Sequence, residues 1–320
     1  MNRSLIVALL VILAFASSAS AVNLYRNVSH AVGYLSEDLI MSEPLPQGKA
    51  CLSGNIEYYM PSDVMINVSH PKWESLNDGG VDAVSLTVIP IKVAYGITDA
   101  LSVRLTIPYI SESYKPELYD ASSATGIGDA RLEGIYLFMK ETESFPSIAG
   151  SLGIKLATGK YKDLKDTELA LGTGGTDIYA SAIFGKKLGP VNGKALIGYM
   201  LTGRMVDYLG SGLTIDPADP IIFSVACIYP ATADINIGGE LWGRSGGKDL
   251  WTNGDSIMVE DSEGTVIWLS PFVNYQVSPA LGLRGVIDYP LSVPATNSML
   301  GGGENLMKGL NITIGANWII

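Results

Sequence analysis

Residues 101–109 read LSVRLTIPY, and this stretch decides the fold. Leu101, Val103, Leu105, Ile107 and Tyr109 fall on one face, while Ser102, Arg104 and Thr106 fall on the other. A two-residue period marks a β-strand, because successive side chains point to opposite sides of the backbone. Here the face opposite the apolar one carries charge. The same alternation returns along the chain as far as its last residues, LNITIGANWII. A barrel with an apolar outside and a wet inside has this pattern.

The N-terminus points to export. Met1 to Ser4 carries a positive charge at Arg3, Leu5 to Ala16 is apolar, and Ala19-Ser20-Ala21 supplies small residues for cleavage. Residues 1–21 are expected to be a secretory signal peptide, with Val22 the first mature residue. The apolar run falls short of the roughly 20 residues a membrane anchor needs. No Cys follows the cleavage site, which argues against a lipoprotein.

Composition agrees with a barrel. Hydrophobic residues make up 47% of the chain and charged ones 17%. Yet nothing after Ala21 approaches the 18 uninterrupted apolar residues of a transmembrane helix. The apolar residues are therefore spread over short alternating segments. A soluble β-sandwich could also do this, and is the main structural alternative. The net charge of −11 argues against nucleic acid and against docking on anionic lipid. The 16 tyrosines suit the aromatic belts of a barrel. Two cysteines make no disulfide scaffold. Cys51 opens the first strand and Cys227 ends the eighth, on nearly opposite walls, so they are expected to stay unpaired.

Twelve strands are expected, at 52–60, 83–95, 101–110, 129–140, 148–158, 176–187, 193–203, 220–229, 235–244, 265–277, 281–289 and 309–319. Their connections alternate strictly. The turns near 96–100, 141–147, 188–192, 230–234 and 278–280 are short and rich in Gly, Pro, Asp and Ser. The connections at 61–82, 111–128, 159–175, 204–219, 245–264 and 290–308 are long. A sandwich has no reason to collect its long loops at one end, whereas outer-membrane barrels do. The expected fold is all-β, a 12-stranded antiparallel transmembrane β-barrel over residues 52–320. Residues 22–51 precede it as a periplasmic N-terminal segment, either a tail or a lumen plug.

The alternation also assigns faces. Charge facing lipid at the midplane costs about 2–4 kcal/mol for Arg or Lys, so the charged faces must be lumenal. The expected lumen-lining residues are Lys92, Arg104, Arg131, Lys155, Arg244 and Arg284, against Glu133, Asp177, Glu240 and Asp288. An arginine should be rejected at Leu105 and better tolerated at Thr106. Two readings of the lumenal charges stay open. They form a pathway that orients a polar or aromatic solute, or they pair and close a structural barrel.

Five stretches, PLPQGKACLSGNIEYY, IPIKVAYGITDALSVRLTIPY, GIGDARLEGIYL, SIAGSLGIKLATGKY and GTGGTDIYASAIFGKKLGPV, carry a further signal. In that order they resemble the outer-membrane transporter family named for the meta-pathway of phenol degradation. The resemblance runs from about Leu45 to the C-terminus. It implies an outer-membrane barrel that admits small organic, often aromatic, compounds. Many outer-membrane barrels end in an aromatic residue, whereas this chain ends in Ile320 with Trp318 two places before it.

Catalytic chemistry has little to stand on. His30 and His70 are the only histidines, and both lie outside the strands. An outer-membrane hydrolase, the third reading, needs a base beside a nucleophile. The glycines of GTGGTD at 172–177 and GGGEN at 301–305 lack a following Lys-Ser/Thr and read as turns, not phosphate loops. Asp163, Asp166 and Glu168, and Asp255, Glu260, Asp261 and Glu263, read as solvated acidic loops without EF-hand spacing. No catalytic residue, metal or cofactor is expected. The expected partners are outer-membrane lipid, small-molecule solutes and the barrel-insertion machinery, in the outer membrane of a Gram-negative bacterium.

Overall fold

The computed structural model describes residues 44–61, 81–116, 122–164, 169–208, 213–253, 256–259, 264–292 and 309–320. The expected signal peptide, residues 22–43, both histidines, GGGEN and the acidic residues Asp166, Glu168, Asp255, Glu260, Asp261 and Glu263 lie outside the described residues.

The first strands are β1 (Ala50–Pro61), β2 (Val81–Thr98), β3 (Leu101–Pro116), β4 (Ser122–Ile127), β5 (Arg131–Met139) and β6 (Ser147–Lys155). They are followed by β7 (Asp177–Leu188), β8 (Val191–Leu201), β9 (Met205–Tyr208), β10 (Leu213–Asp216), β11 (Ile221–Pro230) and β12 (Ile235–Gly246). The last are β13 (Leu250–Asn253), β14 (Ser256–Val259), β15 (Gly264–Gln276), β16 (Leu281–Ser292) and β17 (Gly309–Ile319). Neighbours pair antiparallel around a ring, and β1 meets β17 from Cys51↔Ile319 to Pro61↔Gly309. Strands β4 and β5 share one place, both on β3. The result is a closed 12-stranded antiparallel β-barrel. Closure leaves no free edge, which is how a sheet satisfies its backbone in lipid.

The strand expected at 129–140 begins earlier and is broken. Residues 122–127 pair with Tyr109–Tyr114 of β3, and Arg131–Tyr136 pair with Leu101–Thr106. Between them Asp129 leaves the ladder and turns inward, where none of its surface is exposed. Two connections read as loops also differ. The segments after β8 and β12 carry β9–β10 and β13–β14, which form a separate four-stranded sheet around buried Met205, Ile215 and Trp251. Four-residue strands are too short for alternation to register against loop composition.

The connections at 99–100, 140–146, 189–190, 231–234 and 277–280 lie at one rim, with the start of β1 and the end of β17. Outside, Leu105, Ile107, Leu132, Leu152, Ile237 and Ile287 are exposed. Two bands of exposed aromatics bracket them. Tyr95, Tyr136, Tyr229, Tyr275 and Trp318 lie toward the short-turn rim, and Tyr58, Tyr109, Tyr199 and Tyr289 toward the loop rim. Such belts sit where bilayer meets water.

Ahead of β1 the chain crosses the inner mouth of the short-turn rim. The Leu45 N–H donates to the inward Ser102 Oγ (2.6 Å), and Leu45 packs with Cys51 and Ala94. Gly96 makes this possible, because a Cβ there would meet the Leu45 and Pro46 carbonyl oxygens at 2.5 and 2.2 Å. Cys51 is buried, Cys227 is exposed, and both are free thiols.

Candidate functional site: the barrel lumen

The two-residue period turns one face of every strand inward, and the inward faces are not uniform. One wall is charged. Lys92 on β2, Arg104 on β3, Arg131 and Glu133 on β5, Lys155 on β6 and Asp177 on β7 are all buried. Glu133 accepts a hydrogen bond from Arg104 and lies 3.9 Å from Arg131. The Arg131 guanidinium sits 3.6 Å from the centroid of the Tyr179 ring, a cation–π contact. That ring crosses Gly153, where a Cβ would come within 2.1 Å of it. Lys92 lies within the electrostatic reach of Arg104, Arg131, Arg284 and Glu133.

Further round, a polar chain joins β11, β12, β15, β16 and β17. The Ser224 hydroxyl donates to Glu240 (2.5 Å), and the Trp242 indole N–H donates to Ser270 Oγ (2.7 Å). Ser270 in turn donates to Asp288 (2.5 Å), whose other oxygen accepts from Asn311 Nδ2 (2.7 Å). Arg284, half-buried, lies 4.6 Å from the Phe272 ring centroid and interacts with Glu240 and Asp288. Arg244 is buried on the same strand as Glu240.

The remaining inner face is apolar. Ala149, Ile183, Leu196, Ile222, Ala226, Trp242, Val266 and Trp268 form one packed cluster across β6 to β15. Trp242 and Trp268 are stacked within it, ring centroids 4.2 Å apart and planes 14° from parallel. The lumen thus has a charged wall over β2 to β7 and, further round, an aromatic and aliphatic cluster interleaved with Glu240, Arg244 and Asp288.

A third group was not singled out residue by residue from sequence. GIGDA, K-ATG and GTGGTD converge at one point. Asp129 accepts from Gly159 N–H (3.0 Å), Thr173 N–H (2.9 Å) and Thr173 Oγ1 (2.8 Å). Lys155 Nζ lies 2.8 Å from Asp177 and 3.5 Å from Asp129, and donates to Thr173 Oγ1. The signal was the motifs themselves, which entered the sequence reading only through the family resemblance and, for GTGGTD, as a turn. Glu57 was missed too, although alternation in NIEYY turns it inward beside Asn55. Glu57 and Asp129 add two buried carboxylates to the four expected from sequence. Among the described residues, no group of three or more His, Cys, Asp or Glu could hold a metal ion.

A closed 12-stranded ring of this kind has a counterpart among solved structures. The chain shares its fold with an outer-membrane channel. This is the COG4313 outer membrane channel from Pseudomonas putida F1, matched with a TM-score of 0.68 at 15% identity over 88% of this chain and 98% of that one. The NanC porin gives 0.48 at 11% identity over 83% and 98%. The TodX monoaromatic hydrocarbon channel gives 0.44 at 10% identity over 86% and 90%. No family model and no curated protein matches the sequence.

Proposed function

We propose that this chain is an outer-membrane channel of a Gram-negative bacterium that passes small organic solutes, aromatic ones among them, without covalent chemistry. The observation that carries this reading is the two-sided lumen. Buried cations with their carboxylates crowd one wall, and further round the stacked Trp242 and Trp268, 0% and 3% exposed, pack beside Glu240 and Arg244. Where these packed side chains part, an organic anion would meet both a counter-charge and an apolar surface, and charged rings govern which ions pass a pore. The resemblance to the phenol meta-pathway transporters supports the same solute class. In this reading residues 1–21 are removed on export and residues 22–51 begin the mature chain.

A second reading has its own support. Lys92, Arg104, Arg131, Glu133, Lys155, Asp177, Glu240 and Asp288 all expose less than a tenth of their surface. Groups that fill the interior by pairing make a closed structural barrel. Liposome swelling separates the two, using the purified full chain with sugars, benzoate and benzyl alcohol. Swelling with the aromatic solutes and step conductance in planar bilayers are the expected result. Complete insertion without flux or conductance overturns the channel reading in favour of the structural barrel.

A further inference from the structure

We propose that residues 169–176 form a gating strap that closes the loop-rim end of the lumen and is latched by Asp129, Lys155 and Asp177, with Thr158 holding the turn that carries Asp129. The inference rests on the channel reading above. The strap lies inside the ring. Ala170, Leu171, Gly172, Thr173 and Gly175 are buried, and Leu171 packs against Tyr59, Leu86, Val88, Ile110 and Ala124. Those five side chains point inward from β1, β2, β3 and β4, so the strap takes up lumen that solute would otherwise cross.

How it is attached distinguishes it from the wall. Every barrel strand is held to its neighbours by a ladder of backbone bonds. Among the described residues its backbone is tied to other segments at scattered points, Leu169 N–H to Ser123 O (3.4 Å) and Leu171 and Gly172 N–H to Lys160 O (2.8 and 3.1 Å) among them. Side chains add to this hold. The Asp129 carboxylate grips Thr173 through both its N–H and its hydroxyl, and Lys155 ties Asp129, Thr173 and Asp177 together. Asp177 also accepts from Gly203 N–H (2.9 Å). None of residues 169–176 belongs to a barrel strand, so the strap can leave the lumen with the strand ladders intact.

The wall behind it is prepared for this. Among the described residues β4 pairs only with β3, and β6 ends at Lys155, below β4. At that break the Leu156 N–H still donates to Ala130 O (2.8 Å) and the Gly128 N–H to Pro108 O (2.9 Å), and one hydroxyl adds to them. Thr158 Oγ1 donates to Gly128 O (2.9 Å) and accepts from Ala130 N–H (2.8 Å). Buried ion pairs add little net stability over apolar packing, and serve better as switches. A latch of charges around small residues, LALGTGGT, suits a part that opens more than one that holds the barrel together.

The test uses single-channel recording on the full chain. In a Cys51→Ala, Cys227→Ala background, Ala124→Cys with Leu171→Cys places two thiols in one packed cluster, to be joined by a short reducible cross-linker. Cross-linking should abolish the larger conductance level, and reductant should restore it. Independently, Thr158→Val and Asp129→Asn should raise the open fraction severalfold. If Asp129→Asn fails to fold, the cross-linked pair still decides. If the parent conducts and neither the cross-link nor Thr158→Val alters its conductance, the strap is not a gate and the channel reading stands. If parent and unlatched variants insert yet never conduct, both readings fall.

Discussion

Leu105→Arg puts the membrane assignment at risk most directly. Leu105 is outward-facing and 41% exposed, paired with Val93 on one side and Leu132 on the other. It stands four residues from Leu101 at the short turn and four from Tyr109 in the upper aromatic band. At about 3.4 Å per residue and a tilt of about 40°, that is roughly 10 Å of depth from either end. Leu105 is therefore close to the midplane, where an arginine costs about 2–4 kcal/mol. At about 1.4 kcal/mol per factor of ten, the folded-to-unfolded ratio in lipid should fall by roughly 30- to 700-fold. Refolding into vesicles across a urea series, followed by heat-modifiable gel mobility, reads this as a lower midpoint. Leu105→Phe, which keeps an apolar surface toward lipid, should stay near the parent. Equal midpoints for the Arg and Phe variants would refute the claim that this face meets lipid. The inward neighbour is not the clean control that alternation suggests. Thr106 is buried and paired with both Lys92 and Arg131, so Thr106→Arg adds a third cation to a filled space. It too should destabilise, by about 1–3 kcal/mol from overpacking alone.

Other outcomes follow from the lumen and rims. Gly153→Val should displace the Tyr179 ring, remove its contact with Arg131 and cost about 1–3 kcal/mol, seen in the same urea midpoint. Trp242→Ala should cost about 3–5 kcal/mol and abolish the paired-tryptophan exciton signal in circular dichroism, while Trp242→Phe should retain most of the stability. A membrane-impermeant maleimide should label Val206→Cys on intact cells, because Val206 lies on the exposed small sheet beyond the loop rim. Ser278→Cys, in a short turn, should label only after the outer membrane is opened. The reverse labelling pattern would invert the orientation of the barrel.

Much of the fold was legible because the bilayer imposes a strict rule on each barrel strand. Every outward residue of LSVRLTIPY has to be apolar, so the period stands out in the sequence. The closed ring and the sorting of long and short connections follow from the same rule. The interior obeys no such rule, and less of it could be read. Alternation turns Glu57 inward as plainly as Glu133, yet nothing in NIEYY says that its neighbour across space is Asp288. Asp129 was hidden for another reason. It sits where the ladder stops, and its partners Gly159 and Thr173 are 30 and 44 residues away. A motif marks such a residue, but only the packed chain shows that three motifs meet. The small sheet of β9, β10, β13 and β14 escaped because each strand is too short to establish a period.

The seam between β1 and β17 governs the order of assembly. It joins Cys51 to Ile319, residues at the two ends of the barrel sequence. Folding rates fall as contacts become less local, and the contacts of this seam, with the Ala50–Ile320 backbone bonds beside it, are among the least local of the described residues. Until the last eleven residues arrive, the first strand has lost one of its two neighbours. An incomplete chain is thus a curved sheet with two sticky margins, a shape lipid cannot accept. The ring therefore cannot close before the C-terminal strand is in place. Deleting the last strand would therefore leave no smaller barrel behind. It would leave a chain held outside the membrane, waiting for the residues that complete the circle.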